Sequence, residues 1–258
     1  ILPTFFGNLF ATSLSRNSSA PGPLILHFAN ADISNRPTFC FTFLHSFSIA
    51  LNQFDLLNDQ SSSCFIPSVA KKFGWERPNF FATDGMKQED DWSFRRSNWF
   101  KAIEKECKNV KENVGLLDMS AFAKCRIKGP GAEEFLDKLV ANKLPKKVGR
   151  INLCHALNTK GGVHSEFTIM RESENSFYLV SAGAFQRLDH DWIHKWMPKD
   201  GSVIFENLTN SMGVLVVSGP KARDLMQRVS TDDFSNENFK WLSSKMVDVG
   251  QAPVNAMR

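Results

Sequence analysis

A glutamate inside a predicted hairpin is the acidic side chain with the clearest potential for chemistry in this sequence. Gly161-Gly162 marks a turn, and Val163 to Ile169 then alternates between apolar and polar residues, as a strand does. If the apolar residues of this strand face a core, Ser165 shares their side and Glu166 points away from it. An exposed carboxylate can accept or relay a proton, but a merely solvated glutamate has the same pattern. The residues alone therefore leave both interpretations open.

Two histidines have the spacing of metal ligands. His190 and His194 lie four residues apart on a predicted helix, but no glutamate completes an HExxH motif and no third His or Cys is suitably spaced. We expect this helix to bury an apolar stripe made of Leu188, Trp192, Ile193 and Trp196. The histidines then fall on the solvated face, and the sequence predicts no metal site.

Motifs for nucleotides and for reactive thiols are missing. No GxGxxG follows a strand and no GxxxxGK[ST] occurs, so any flavin or nicotinamide has to be bound elsewhere. Cys107, Cys125 and Cys154 fall on predicted apolar positions, which favours buried structural thiols. The basic run Lys143 to Arg150 predicts a solvated loop, with attraction of an anionic ligand tail as the alternative.

Composition narrows the class of protein. The net charge is +4, which is too small to indicate a nucleic-acid partner, and no apolar run of about 18 residues predicts a membrane span. The five cysteines are odd in number and form no CxxC pair, which excludes a disulfide scaffold and suits a reducing compartment.

The elements that would position Glu166 form an alternating series. Periodicity predicts helices over 97–114, 132–140 and 184–197, and strands over 122–128, 151–156, 163–170, 177–181 and 212–217. The segment Ile127 to Leu136 matches Val217 to Met226, because each is a strand that ends in Gly-Pro and leads into a helix. Two such units separated by hairpins predict an α+β domain with mainly antiparallel sheet.

The first 70 residues differ from the rest. They contain only five charged residues and no lysine or glutamate, and neither helical nor strand periodicity persists in them. We predict that residues 1–70 are an atypical segment, which is either disordered or does not come from native coding sequence. A small domain and a targeting peptide are the alternatives, and the readable domain occupies residues 71–258.

Several motifs in that domain occur in the order and spacing of a known family. They are Phe73-Gly-Trp-Glu-Arg-Pro-Asn-Phe-Phe-Ala82, Ser97-Asn-Trp-Phe100, Gly115-Leu-Leu-Asp-Met-Ser120, Ile127-Lys-Gly-Pro-Gly-Ala132, Asn142 to Ile151, Phe177-Tyr-Leu-Val-Ser181 and Gly219-Pro220. Together they resemble the folate-binding C-terminal half of dimethylglycine and sarcosine dehydrogenases, which is similar to the aminomethyltransferase (T-protein) of the glycine cleavage system. The resemblance implies the aminomethyltransferase fold in truncated form.

The resemblance also implies an activity. An N-terminal FAD domain in the same chain oxidises an N-methylated glycine to an iminium, and tetrahydrofolate captures the one-carbon unit in the C-terminal half. It implies Glu166 as the catalytic carboxylate, and Glu166, Tyr178 and Arg258 as cofactor-binding residues. It further implies the mitochondrial matrix in a eukaryote and the cytoplasm in a bacterium.

The sequence departs from that family pattern at its end. Relatives continue beyond Ala256-Met257-Arg258 into a glycine-glutamate segment whose carboxylate holds the pterin ring. We therefore expect a fragment that folds marginally and is inactive alone. A free-standing aminomethyltransferase or folate-dependent demethylase is one alternative, and a non-catalytic folate-domain relic is another.

Overall fold

Two five-stranded antiparallel sheets organise the chain. The computed structural model describes residues 24–29, 66–72, 75–82, 85–87 and 89–258, with side chains for residues 79–82, 85–87 and 89–258. The strands of the first sheet are β1 (Leu24–Ala29), β4 (Gly115–Asp118), β10 (Met212–Ser218), β11 (Ser244–Val249) and β12 (Ala252–Met257). Their order across the sheet is β11-β12-β1-β10-β4.

The strands of the second sheet are β5 (Ala123–Lys128), β6 (Ile151–Leu157), β7 (Val163–Ser173), β8 (Ser176–Ser181) and β9 (Ile204–Asn207). Their order across the sheet is β6-β7-β8-β5-β9. A separate hairpin consists of β2 (Ile66–Lys72) and β3 (Trp75–Ala82). Every one of these pairings is antiparallel. Within the described residues, the α-helices are α1 (Phe100–Glu112), α2 (Ala132–Leu139), α3 (Gln186–Trp196) and α4 (Ala222–Val229).

One face of the second sheet is covered by two helices. Alternate residues of its strands pack against Phe135, Leu136 and Leu139 of α2 and against Ile193 of α3. The strand residues of this core are Cys125, Ile127, Cys154, Ala156, Phe167, Ile169, Phe177 and Leu179. The apolar surface that α2 and α3 remove from water here stabilises the sheet and fixes which of its two faces is the inner one.

The two strand–Gly-Pro–helix units have the same construction. In each, the strand ends at a glycine with positive φ, 120° at Gly129 and 131° at Gly219, and an eight-residue helix follows. A Cβ at Gly129 would lie 2.4 Å from the Ser202 carbonyl oxygen, and one at Gly219 would lie 2.4 Å from that of Asn113. Close backbone approach therefore demands glycine at both positions. The predicted α+β class with mainly antiparallel sheet is confirmed.

The two sheets meet at a small apolar contact. Ile151, Met170 and Tyr178 of the second sheet pack against Met257 of β12. The backbone of β1 pairs with β10 on one side and β12 on the other. The proposed division of the chain at residue 70 stays a prediction, because most of residues 1–65 lie outside the described part. No described helix is long and apolar enough to cross a bilayer.

Three- and four-residue spacing in the predicted helix 97–114 favours a buried stripe of Phe100, Ile103, Cys107, Val110 and Val114, and the structure corrects it. Ala102 is its buried residue, whereas Cys107 and Val110 are exposed. The prediction of a buried thiol at Cys107 is thus wrong, while Cys125 and Cys154 are buried as predicted. The buried residues of this segment are Ala102 near its start and Val114 just after its end, and the turns between them that carry Cys107 and Val110 are exposed.

Candidate functional site

Glu166 lies on the outer face of the second sheet. Its neighbours Phe167 and Ile169 are buried under the helices, and Ser165 is buried on the same inner side. Glu166 points the opposite way, with 53% of its side chain exposed. The predicted orientation of this strand is confirmed. Val163, by contrast, is exposed, because a register shift between Ala156 and Leu157 precedes its pairing with Leu157.

His155 and Asn142 flank Glu166. His155 is the residue directly opposite Glu166 on β6, and its Nε2 lies 3.1 Å from Glu166 Oε2. The other ring nitrogen, Nδ1, lies 3.3 Å from Asn142 Oδ1, which also accepts the backbone N–H of His155 at 2.8 Å. A carboxylate, an imidazole and an amide thus form one chain of contacts on an open sheet face, which is an arrangement that can hold and move a proton.

A second polar cluster lies directly beneath, on the inner face. Asp189 of α3 is buried and accepts hydrogen bonds from Ser165 Oγ and Ser181 Oγ, both at 2.6 Å. Burial raises the pKa of Asp189, and the two serine hydroxyls partly oppose that rise. His164 Nδ1 lies 2.8 Å from Ser165 Oγ, and its ring stacks on Trp192 at 4.0 Å. The cluster joins α3 to β7 and β8 immediately behind Glu166.

Sequence reasoning missed Asp189, His155 and Asn142. On the predicted helix, Leu188 and Trp196 were expected to be buried, but 47% and 51% of their surfaces are exposed, and Asp189 is buried instead. The signal that could have found Asp189 is the pair of serines at inward strand positions, since buried hydroxyls require polar partners.

Tyr178 shares the sheet face of Glu166 but lies deeper. It pairs with Met170 of β7, and Met170 lies on the same side of β7 as Glu166, because the two positions are four residues apart. Four residues of strand and one strand spacing separate the two positions, which is roughly 14 Å. Tyr178 is 1% exposed and packs against Met257, and burial raises the pKa of its phenol well above the ordinary value. The structure thus does not bring the Tyr178 side chain next to Glu166.

Arg258 follows β12 and binds another segment. Its guanidinium donates hydrogen bonds to the Phe239 carbonyl oxygen and to Asn236 Oδ1. Burial lowers the pKa of Arg258, and the nearby Arg223 adds to that effect. Of the three residues assigned to the site, Arg258 is therefore held by segment 236–239, while the adjacent Met257 is what contacts Tyr178.

The two helical histidines flank an aromatic ring. The rings of His190 and His194 lie 4.9 Å and 4.6 Å from that of Phe205, both edge-on. His194 is exposed as expected, but His190 is half-buried, and burial lowers its pKa. The prediction of a wholly solvated histidine face is wrong for His190, because β9 places Phe205 against it. Within the described residues, no group of three His, Cys, Asp or Glu side chains could hold a metal ion.

The basic run behaves as a loop with a buried middle. Leu144 and Pro145 are buried, while Lys143, Lys146 and Lys147 are exposed. The exposed lysines agree with the predicted loop, and attraction of an anionic ligand tail stays a prediction. The loop follows Asn142, so its first lysine borders the contact between Asn142 and His155.

Comparison with known proteins gives a consistent assignment. The family model of the GCVT N-terminal domain matches residues 67–258. The chain is 39% identical over 186 residues to "Dimethylglycine dehydrogenase, mitochondrial" of Homo sapiens, covering 72% of this chain and 21% of the relative. It is 33% identical to "Pyruvate dehydrogenase phosphatase regulatory subunit, mitochondrial" of Mus musculus, covering 70% of this chain and 21% of that relative. The chain thus spans about a fifth of the length of these relatives.

A solved structure supports the fold. The glycine cleavage system aminomethyltransferase T from Bartonella henselae matches with a TM-score of 0.54 at 15% identity, covering 80% of this chain and 52% of the other. At that identity the likeness concerns the fold alone. The predicted aminomethyltransferase fold is confirmed.

Proposed function

The chain belongs to the family of GCVT aminomethyltransferase domains, and from that premise we propose that it binds tetrahydrofolate and passes a one-carbon unit to it from an N-methyl-derived iminium. The donor would be an N-methylated glycine, oxidised by a FAD domain of the same protein. The relative from Homo sapiens is a mitochondrial dimethylglycine dehydrogenase, which supports this substrate class and a mitochondrial location in a eukaryote.

The observation that carries the proposal is the half-exposed carboxylate of Glu166. Its Oε2 is engaged by His155, so Oε1 is the oxygen available to a ligand. A carboxylate fixed beside a folate amine can accept the proton that the amine loses when it captures the iminium carbon. The same negative charge stabilises the positive charge of the iminium. When bound, tetrahydrofolate supplies the nucleophilic nitrogen, and the chain supplies orientation and a proton acceptor.

Tyr178 and Arg258 belong to the same proposal as folate-binding residues. Tyr178 lies on the same outer sheet face as Glu166, roughly 14 Å away, and it contacts Met257, the residue before Arg258. We propose that Tyr178 forms the floor of the folate site and that the Arg258 cation borders it. Both roles are tested by substitution to Phe and Lys, respectively, because each variant keeps the packing and changes the polar group.

The decisive experiment compares Glu166→Gln with a matched control. In the flavoenzyme that carries this chain, we measure the share of one-carbon units recovered as methylenetetrahydrofolate and the share released as formaldehyde. Loss of a charge-assisted hydrogen bond is worth about 1.5–3 kcal/mol, so the rate of capture should fall about 10- to 150-fold. Glu174→Gln removes an exposed carboxylate after the same strand and should change nothing. Equal folate capture by both variants would refute the role of Glu166.

A second candidate is a folate-type domain without turnover. The similarity to a pyruvate dehydrogenase phosphatase regulatory subunit from Mus musculus favours it, since the name of that relative describes regulation. This candidate predicts that the chain binds tetrahydrofolate in a calorimetric titration while the enzyme containing it releases all one-carbon units as formaldehyde. Recovery of methylenetetrahydrofolate above the uncatalysed level would rule it out.

A further inference from the structure

Two segments that lie side by side between β6 and β11 carry only positive charges. Residues 141–153 and 239–247 together contain six lysines and arginines and no aspartate or glutamate. Within the described part of the chain, the four exposed cations on 146–150 and 240–241 form no salt bridge. Together with two exposed apolar side chains they form a basic surface, which consists of Lys146, Lys147, Val148, Arg150, Lys240 and Trp241. The positive charge of the basic surface is therefore not balanced by neighbouring carboxylates.

Hydrogen bonds hold the two segments together. Ser244 N–H donates to the Gly149 carbonyl oxygen at 2.6 Å. Arg150 pairs with Ser243 in an antiparallel bridge, and its Nη1 donates to the Trp241 carbonyl oxygen at 3.0 Å. The side chains of the basic surface thus belong to two segments that have a fixed position relative to each other.

A buried arginine anchors the turn that carries the first half of the basic surface. Arg171 of β7 is 7% exposed, and its Nε donates to the Pro145 carbonyl oxygen at 2.9 Å. Its backbone carbonyl oxygen accepts the Gly149 N–H at 2.8 Å. Residues 146–148 therefore lie between two points that are bonded to the sheet. A surface that is ordered before binding costs a partner less free energy to engage than a mobile loop does.

The composition of the basic surface indicates the kind of partner that fits it. Val148 is 64% exposed and Trp241 is 40% exposed, and Trp241 is bonded to Arg150 through its carbonyl oxygen. Trp and Arg are the residue types that most often dominate the binding energy of protein–protein contacts. A small anion would engage the cations alone and leave both apolar side chains in water. An acidic protein segment with an apolar side chain of its own would engage both kinds of group.

We propose that the basic surface binds an acidic segment of a separate protein partner, whose carboxylates pair with the four cations while an apolar side chain packs on Val148 and Trp241. The positive potential of the surface accelerates encounter with a negatively charged partner. The buried apolar contact slows dissociation, because it has to be exposed to water again when the complex separates. The proposal is independent of the folate chemistry proposed above.

The test is a binding titration with a defined probe. A labelled synthetic peptide, in which glutamates flank a central Phe-Leu pair, is titrated with the 258-residue chain and followed by fluorescence anisotropy. We expect saturable binding that weakens as the salt concentration rises, because salt screens the charges. The double variant Lys146→Glu/Lys147→Glu and the single variant Trp241→Ser should each raise Kd about tenfold or more.

Matched variants control for net charge and for the loss of an indole. Lys160→Glu/Lys199→Glu changes the net charge by the same amount at two exposed lysines elsewhere, and Trp196→Ser removes an indole that is 51% exposed on α3. Both controls should change Kd by less than about twofold, because neither alters the basic surface. Cooperative urea unfolding of every variant establishes that a change in Kd does not come from loss of the fold.

Several results would overturn the proposal. Equal affinity for a peptide with Ser-Ser in place of Phe-Leu would make the surface a general polyanion site, and tighter binding to phosphatidylserine vesicles would make it a membrane site. Absence of peptide binding would remove the docking role altogether. An intact flavoenzyme that fails to bind the peptide, although the 258-residue chain binds it, would show that another part of the same protein covers the surface. Failure of folate capture would leave the proposal untouched, because the titration contains no folate.

Discussion

Lys124 offers a sharp test of the fold, because it is a fully buried lysine that forms no salt bridge with any of the described residues. It lies on β5 with 0% of its surface exposed, and its Nζ donates to the carbonyl oxygens of Ser120 at 2.6 Å and Phe122 at 2.8 Å. Burial lowers the pKa of Lys124 from 10.5 to about 8, and the more distant Asp118 only partly offsets this. The charged lysine therefore costs stability at neutral pH.

The size and sign of that cost follow from linkage. Below pH 8 both states bind the proton, so the native state carries the full cost of the buried charge. Between pH 8 and 10.5 the unfolded chain still binds the proton and the native chain has released it, so the free energy of unfolding rises with pH. A pKa difference of about 2.5, at 1.36 kcal/mol per unit, corresponds to about 3 kcal/mol over this interval.

The assay is urea unfolding of wild type and Lys124→Met between pH 7 and 10.5. The methionine fills the same space without a charge, so the wild type should gain about 3 kcal/mol relative to the variant across the interval, while effects of other groups cancel. Lys128→Met is the control, because Lys128 lies on the same strand and face but is partly exposed and paired with Glu206. Parallel stability curves for wild type and Lys124→Met would refute the argument that Lys124 is charged and desolvated in the native state.

Two further predictions concern the inner face and the thiols. Ser165→Ala and Ser181→Ala each remove one hydrogen bond to the buried carboxylate of Asp189. Each variant should lower the free energy of unfolding, measured in urea at pH 7, by about 1.5–3 kcal/mol. A loss below about 0.5 kcal/mol would contradict a stabilising role for these two hydrogen bonds. In timed alkylation with mass mapping, Cys107 should react well before Cys125 and Cys154, because it is exposed whereas burial raises their pKa values to about 12 and about 11; equal rates would contradict the buried placement.

The parts of the fold that sequence predicts are those determined locally. Alternation along 165–169 gave the inward and outward sides of β7, because side chains of a strand alternate whatever covers them, and it failed only at Val163, next to the register shift. The two Gly-Pro units were recognisable because a strand that turns sharply into a helix needs glycine at Gly129 and Gly219, as their positive φ values show. The same alternation placed Glu166 on the outer side of its strand, whereas its role came from the family resemblance alone.

The parts that sequence does not predict depend on tertiary neighbours. Asp189 is a charged residue type, and the sequence around it gives no sign that it is buried. Its burial depends on hydrogen bonds from Ser165 and Ser181, which lie on strands that only the folded sheet brings beneath α3. Asn142 and His155 are thirteen residues apart, and no periodicity links them. Likewise α1 has an apolar stripe by spacing, but Ala102 is its buried residue and Cys107 is exposed, because burial depends on which neighbours the fold brings to the helix.

The coupling between fold and site lies in the adjacent pair Ser165 and Glu166. Because successive side chains of a strand point to opposite faces, the register that buries Ser165 against Asp189 is the register that presents Glu166 to His155. A slip by one residue would place a carboxylate in the apolar core and a hydroxyl on the outer face, which is penalised on both sides. The hydrogen bonds of Ser165 and Ser181 to Asp189 therefore do more than add stability. They select the register in which Glu166, His155 and Asn142 meet. Loss of these buried hydrogen bonds should accordingly loosen the contact between His155 and Glu166 before it unfolds the sheet.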